Sequence, residues 1–154
     1  QLLIQVSGRV GRKENNGKVI IQTRYPEDKN LLELRSGDYL NFALNNLKQK
    51  KELRHPPYSA IALLRTTSPL AKHNINFLHQ VNKSAKLKSD MSIIGPIPSI
   101  ISKSRGNFRH HSIIQASSKI DLNKLIKNII VLAGSWKETK KVKWYFDIDP
   151  IDYN

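Results

Sequence analysis

After the paired prolines of "RHPPYS" (residues 54–59), the chain runs through six segments whose apolar pattern repeats either as a strand or as a helix. That order leaves few folds open. Two prolines stop any helix and force an extended path, so a domain boundary falls there, dividing the chain into 1–57 and 58–154. "SAIALLRTT" (59–67) reads as a strand. Leu70 to Leu87 reads as a helix, with Ile75, Leu78 and Val81 in phase. "MSIIGPIPSIISKSR" (91–105) is a strand interrupted by Gly95-Pro96 and Pro98, and 108–116 is its neighbour. "LNKLIKNIIVLAG" is a helix ending at Gly134, and "KVKWYFDID" is the last strand. The order β-α-β-β-α-β is the split βαβ, or ferredoxin-like, arrangement. It predicts an α/β protein of the α+β kind: a four-stranded antiparallel sheet with two helices on one face.

The first 57 residues read differently. "QLLIQVSG" predicts a short helix, carrying Leu2, Leu3, Ile4 and Val6, that leads into a loop of glycine and arginine. "KENNG" is a turn and the β-branched run "KVIIQTRY" (18–25) predicts a buried strand. "NLLELR" (30–35) is a short helix broken at Ser36-Gly37, and Asp38 is placed to cap the next one. From Tyr39 to about Leu53, the spacing of Leu40, Ala43, Leu44 and Leu47 predicts a helix with those four in the core and "KQKK" solvated.

Composition narrows the function. No apolar run approaches 18 residues, so no membrane span is expected, and no secretory leader is recognised. With no cysteine there is neither a disulfide framework nor a thiolate metal site. A reducing, cytoplasmic setting is expected. The first residue, Gln1, suggests a piece of a longer protein. Lys and Arg outnumber Asp and Glu 26 to 12, a net charge of +14 that attracts polyanions, nucleic acid first among them. The excess is concentrated between Lys103 and Lys143, and the end, "FDIDPIDYN", is acidic.

"QVSGRVGR" (5–12) carries the sharpest chemistry. Gly8 and Gly11 let backbone approach a ligand. Arg9 and Arg12 present planar forks that match phosphate oxygens. A bare basic loop would carry the same short pattern. The longer form, Gln5-x-x-Gly8-Arg9-x-Gly11-Arg12, resembles motif VI of superfamily 2 helicases. Further anchors follow in order: the Gly-x-Val-x-Ile-Gln-Thr segment, Pro56-Pro57-Tyr58, Gly95-Pro96-x-Pro98, Arg105 to Arg109, and "VKWYFDIDP". With them the whole chain resembles the carboxy-terminal part of the replication-restart helicases of the PriA (primosomal protein N′) family.

That resemblance implies two pieces. One is the end of a RecA-like second helicase lobe, and the other is a carboxy-terminal domain similar to ribosomal protein S10. It implies a 3′–5′ DNA helicase that uses ATP and Mg2+, with Arg12 as arginine finger, Arg9 on the γ-phosphate and Gln5 coupling nucleotide to lobe closure. The family's zinc-binding cysteines lie upstream of motif VI. No G-x-x-x-x-G-K-[ST] loop occurs here, so the chain alone is expected to be inactive as an ATPase. The resemblance also implies DNA forks and other primosome proteins as partners. It further implies docking of the acidic tail of single-stranded-DNA-binding protein, for which Lys119 and Asn123, one helical turn apart with Lys124 and Lys127 adjacent, are candidates. A solvated basic face is the other reading of those four.

In the hairpin "SKSRGNFRHHS", Lys103, Arg105 and Arg109 offer cations for a DNA backbone and Phe108 a ring for stacking. The alternative is a solvated basic hairpin with Phe108 packed inward. His110 and His111 are adjacent, so in a strand they face opposite ways and cannot share a metal. No metal site is expected. Trp136 and Trp144 are read as packing residues. A free-standing, non-enzymatic nucleic-acid-binding module of the ribosomal S10 type is the alternative function.

Overall fold

The computed structural model describes residues 18–37 and 39–152. The chain divides into two compact units, Gln1–Gln49 and Lys50–Asn154, at a point inside one helix. The expected helix in 1–8, the turn at 13–17 and the capping role of Asp38 lie outside the described residues.

In the first unit, helix α1 spans Lys29–Ser36. Asp28 caps it by accepting from the amides of Asn30 and Leu31, and Gly37 closes it in the left-handed conformation at φ 77°. Helix α2 spans Tyr39–Glu52. Asn45 donates to the Glu33 carboxylate at 2.7 Å and Asn46 to the Asn30 side chain at 3.3 Å. Two expectations fail here. Residues 18–25 form no strand, and Ile20 is 81% exposed. A β-branched run becomes a strand only when its amides find a ladder, and 18–25 has no partner strand among the described residues. Leu40, Leu44 and Leu47 are exposed (Leu40 at 70%) and Ala43 is half-buried, so they are not core. Their helical phase is real, but no described residue of 18–49 is buried. Periodicity marks the face that wants cover; it does not supply the cover.

The second unit has the expected order. Strand β1 spans Ala60–Ser68, helix α3 Ala71–Ser84, β2 Ser92–Ser104, β3 Asn107–Ala116, α4 Lys119–Gly134 and β4 Lys143–Ile148, with a 3-10 turn at Glu138–Lys141. The sheet order is β2-β3-β1-β4 with every pair antiparallel. Strands β1 and β2, joined by α3, are split by β3, and β3 and β4, joined by α4, are split by β1. This is the ferredoxin-like arrangement of a small α+β domain.

Alternation along β1 assigns the faces. Ala60, Ala62, Leu64 and Thr66 look toward the helices, where Phe77, Leu78 and Val81 of α3 and Leu122, Leu125, Ile126 and Ile129 of α4 close one apolar core with Ile114 and Ala116. Phe77 is the hub. Trp136 meets it edge-on at 6.0 Å and Trp144 at 5.6 Å, so both tryptophans pack. The buried stripe of α3 is Asn74, Phe77, Leu78 and Val81; Leu78 and Val81 lie on it as expected, and Ile75 is half-buried at its edge.

Strand β2 continues through Gly95-Pro96 and Pro98 as one element. It is an edge strand, where proline costs the sheet no ladder bond. Its register slips twice against β3. Three steps from Ile94 to Ile97 face two on β3, and five steps from Pro98 to Lys103 face two. Gly95 permits the first slip: a Cβ there would lie 2.5 Å from Ser112 Oγ and 2.9 Å from the His111 carbonyl, and its φ of 142° suits glycine. The second slip arches Ser99 to Ser102 out of the ladder, with Ile100 78% exposed.

Candidate nucleic-acid interface

The hairpin between β2 and β3 turns on two residues, Arg105 and Gly106, at φ 47° and 78°. Positive φ at both positions is the type I′ geometry that matches strand twist. It sets Arg105 at the exposed tip and pairs Ser104 with Asn107. From there alternation separates the expected contact residues. Phe108 lies opposite Ser68, on the helix side, half-buried and outside the core cluster. Lys103 sits over its ring, Nζ 5.2 Å from the centroid. Arg109 lies opposite Thr67 and points to the other face. Lys103, Arg105, Phe108 and Arg109 therefore form two sides and a tip rather than one surface. Helix α3 fixes both hairpin strands through side-chain amides: Asn74 donates to the Phe108 carbonyl and Asn82 to the Gly95 carbonyl, each at 2.9 Å.

The sheet's second face is closed at one end and open at the other. At the closed end Ile61 and Leu63 are buried, Leu63 completely. Gln115 donates there to the Arg54 carbonyl, holding the segment that precedes β1. At the open end two cross-strand rows form, Arg109–Thr67–Lys143 and His111–Arg65–Tyr145. Arg109 and Lys143 are exposed and make no ion pair among the described residues. Arg65 is held: its Nε donates to Asp147 at 3.0 Å and its Nη2 to the Asp152 carbonyl at 3.0 Å. A groove of about 530 Å³ runs between these rows and the β2 arch, lined by Arg65, Thr67, Ile100, Ile101, Arg109 and Tyr145 among others.

The two histidines face opposite ways, as alternation requires. His110 is buried on the helix side beside Asn74, 3.4 Å from its amide, and burial lowers its pKa. His111 is 3% exposed on the second face. Burial lowers its pKa as well, with Arg65 and His110 adding repulsion. Both are neutral near neutrality, so the positive charge of this end comes from arginine and lysine. Among the described residues no three His, Cys, Asp or Glu side chains gather as a metal cluster.

Ser118 caps the start of helix α4. The Ser118 hydroxyl accepts from the Asp121 amide at 3.1 Å and donates to the Asp121 carboxylate at 2.8 Å. Hydrogen bonds from Lys88 and Ser118 hold the Asp121 carboxyl below its usual range, and the same contact raises Lys88. Lys119 reaches the Asp149 carboxylate at 2.6 Å, while Asn123, Lys124 and Lys127 are exposed. The Lys119–Asn123 corner thus already holds one carboxylate of its own chain.

Gln5, Gly8, Arg9, Gly11 and Arg12 lie outside the described residues. Sequence reasoning missed Arg65, Lys143 and Tyr145. Their signal was present: once helices cover one face, strict alternation in "LLRTT" and "KWYF" sends these residues to the other. Among the described residues no helix is long and apolar enough to cross a membrane.

A family model described as "Primosomal protein N C-terminal domain" matches residues 51–151. Among curated proteins, the "Replication restart protein PriA" of Haemophilus influenzae is 29% identical over 154 residues, 99% of this chain and 21% of that protein. The protein of the same name from Buchnera aphidicola of Acyrthosiphon pisum is 28% identical, with 97% and 21% covered. That of Bacillus subtilis is 31% identical, with 97% and 19% covered. The chain spans about a fifth of the length of these relatives.

Proposed function

The chain belongs to the primosomal protein N C-terminal domain family, and from that membership we propose that it is the carboxy-terminal part of a replication-restart protein. That protein is an ATP-dependent 3′–5′ DNA helicase of the bacterial cytoplasm that recognises stalled or branched forks and assembles the primosome. Residues 58–154 bind DNA and partner proteins. Gln5, Gly8, Arg9, Gly11 and Arg12 complete an ATP site whose phosphate loop and Mg2+ ligands lie upstream. Zinc also belongs upstream, since this chain has no cysteine to supply a thiolate.

One observation carries DNA binding: Arg105 at the hairpin tip and Arg109 and Lys143 on the open face are exposed cations without ion-pair partners among the described residues. Such groups serve a polyphosphate backbone by counterion release. The acidic tail of single-stranded-DNA-binding protein docks at Lys119 and Asn123 in this reading, by displacing Asp149 from Lys119.

The test is a salt titration of forked DNA with the 154-residue chain. The slope of log K against log salt should shrink by about 0.7 to 0.9 in each of Arg105→Ala and Arg109→Ala. Wild-type slopes in both variants would remove these residues from the contact. In a longer protein that carries the phosphate loop, Arg12→Ala should lower kcat by roughly 10³-fold or more with nucleotide affinity nearly kept. Loss of affinity with kcat unchanged would make Arg12 a ground-state contact.

A further inference from the structure

The open end of the sheet offers what the hairpin does not, a place for a base. Tyr145 stands at 58% exposure near the middle of β4, away from the aromatic core built by Phe77, Trp136 and Trp144. Arg65 lies directly across the strand from it and Lys143 two residues along on the same face. The arch of β2 raises Ile100 and Ile101, both exposed, as the opposite apolar wall. At about 530 Å³ the groove falls within the range of small-ligand sites.

We propose that this groove takes an unpaired nucleotide of a DNA strand, its base stacked on Tyr145 between that ring and the Ile100–Ile101 wall, its phosphates on Arg109 and Lys143. The inference rests on the DNA-binding reading above and assigns within it the site that senses single-strandedness. The chemistry divides between two rows. Arg65 is neutralised by Asp147 and tied to the Asp152 carbonyl, so it stiffens the floor beside Tyr145 rather than holding phosphate. The next row, Arg109–Thr67–Lys143, carries two cations and no carboxylate, and it borders the ring on the hairpin side. A phosphate reaching those cations leaves its base over Tyr145. A duplex keeps its bases stacked on each other and presents none to the ring, so the stack selects unpaired strand.

Three arms test the site on the 154-residue chain. Tyr145→Ala and Tyr145→Leu should each weaken binding of a short oligothymidylate by about 5- to 150-fold, the value of one lost stack, while Tyr145→Phe keeps wild-type affinity. Blunt duplex should bind wild type and all three variants alike. Irradiation with an oligothymidylate containing 5-iodouracil should crosslink Tyr145. Oligothymidylate affinity untouched by Tyr145→Leu, equal losses on blunt duplex, or crosslinks confined to Phe108 or Tyr58 would each overturn the base site and leave DNA binding standing. Failure of the wild-type chain to bind forked DNA or oligothymidylate would instead sink the DNA-binding reading itself.

Discussion

The two faces of one sheet have been put to opposite uses. On the helix side every inward residue of β1 from Ala60 to Ser68 is buried. The ring cluster of Phe77, Trp136 and Trp144 seals the space, and Thr66 donates there to the His110 carbonyl at 3.0 Å. On the other side the same strand buries Ile61 and Leu63 and then opens to Arg65 and Thr67. The difference separates the side of the sheet that carries stability from the side on which the proposed DNA contact lies. Side chains facing α3 and α4 are held by burial, and those at the open end are held by cross-strand neighbours and remain available to a ligand.

Substitutions can separate the faces. The largest effect expected is Phe77→Ala, which empties the hub of the core and should cost about 3–5 kcal/mol in denaturant melts. Oligothymidylate affinity well below the melting transition should be unchanged. Next is Gly95→Ala. Its Cβ would collide with Ser112 and the His111 backbone, so about 1–3 kcal/mol should be lost and the register of β2 disturbed. Because that register builds the arch, DNA affinity should fall as well, and a variant of wild-type stability would contradict the close approach.

The buried histidines give a smaller, pH-dependent term. Their folded-state pKa values lie below the ordinary one, so the unfolded chain takes up protons first. The stability they contribute is complete above about pH 6.5 and is lost as pH falls through the lowered folded-state values, by at most about 1.4 kcal/mol per pH unit for each histidine. His111→Gln should flatten that slope in melts between pH 7 and pH 5, roughly neutral to mildly acidic. An unchanged slope would place the titration elsewhere. The smallest stability effect belongs to Tyr145→Ala, within about 0.5 kcal/mol of wild type, as for exposed side chains generally. A loss as large as that of Phe77→Ala would mean that the open face is core after all.

Much of this was legible in the sequence because the second unit is self-contained. Leu78 and Val81 announced α3, the alternation of "SAIALLRTT" announced β1, and the order of elements fixed the topology before any contact was known. Less legible was anything that depends on a neighbour. "KVIIQTRY" and the Leu40–Leu44–Leu47 stripe carry the right periods, but the described residues give them no ladder and no facing surface. Phe77 escaped notice because it lies one position off the stripe through Ile75. The arch at 99–102 arises from register slips that alternation alone does not reveal. Lys103, Arg105, Phe108 and Arg109 look contiguous in sequence, and only the type I′ turn and the strand alternation show that they part to two faces and a tip.

The most direct measurement is a titration of the isotopically labelled 154-residue chain with oligothymidylate, followed by amide chemical shifts. The largest shifts should fall on Thr67, Arg109, Lys143 and Tyr145 and along the arch from Ser99 to Ile101, with α3 and α4 nearly silent. Shifts concentrated instead on Asn123, Lys124 and Lys127 of α4, with the open end of the sheet unmoved, would contradict the assignment of recognition to that face.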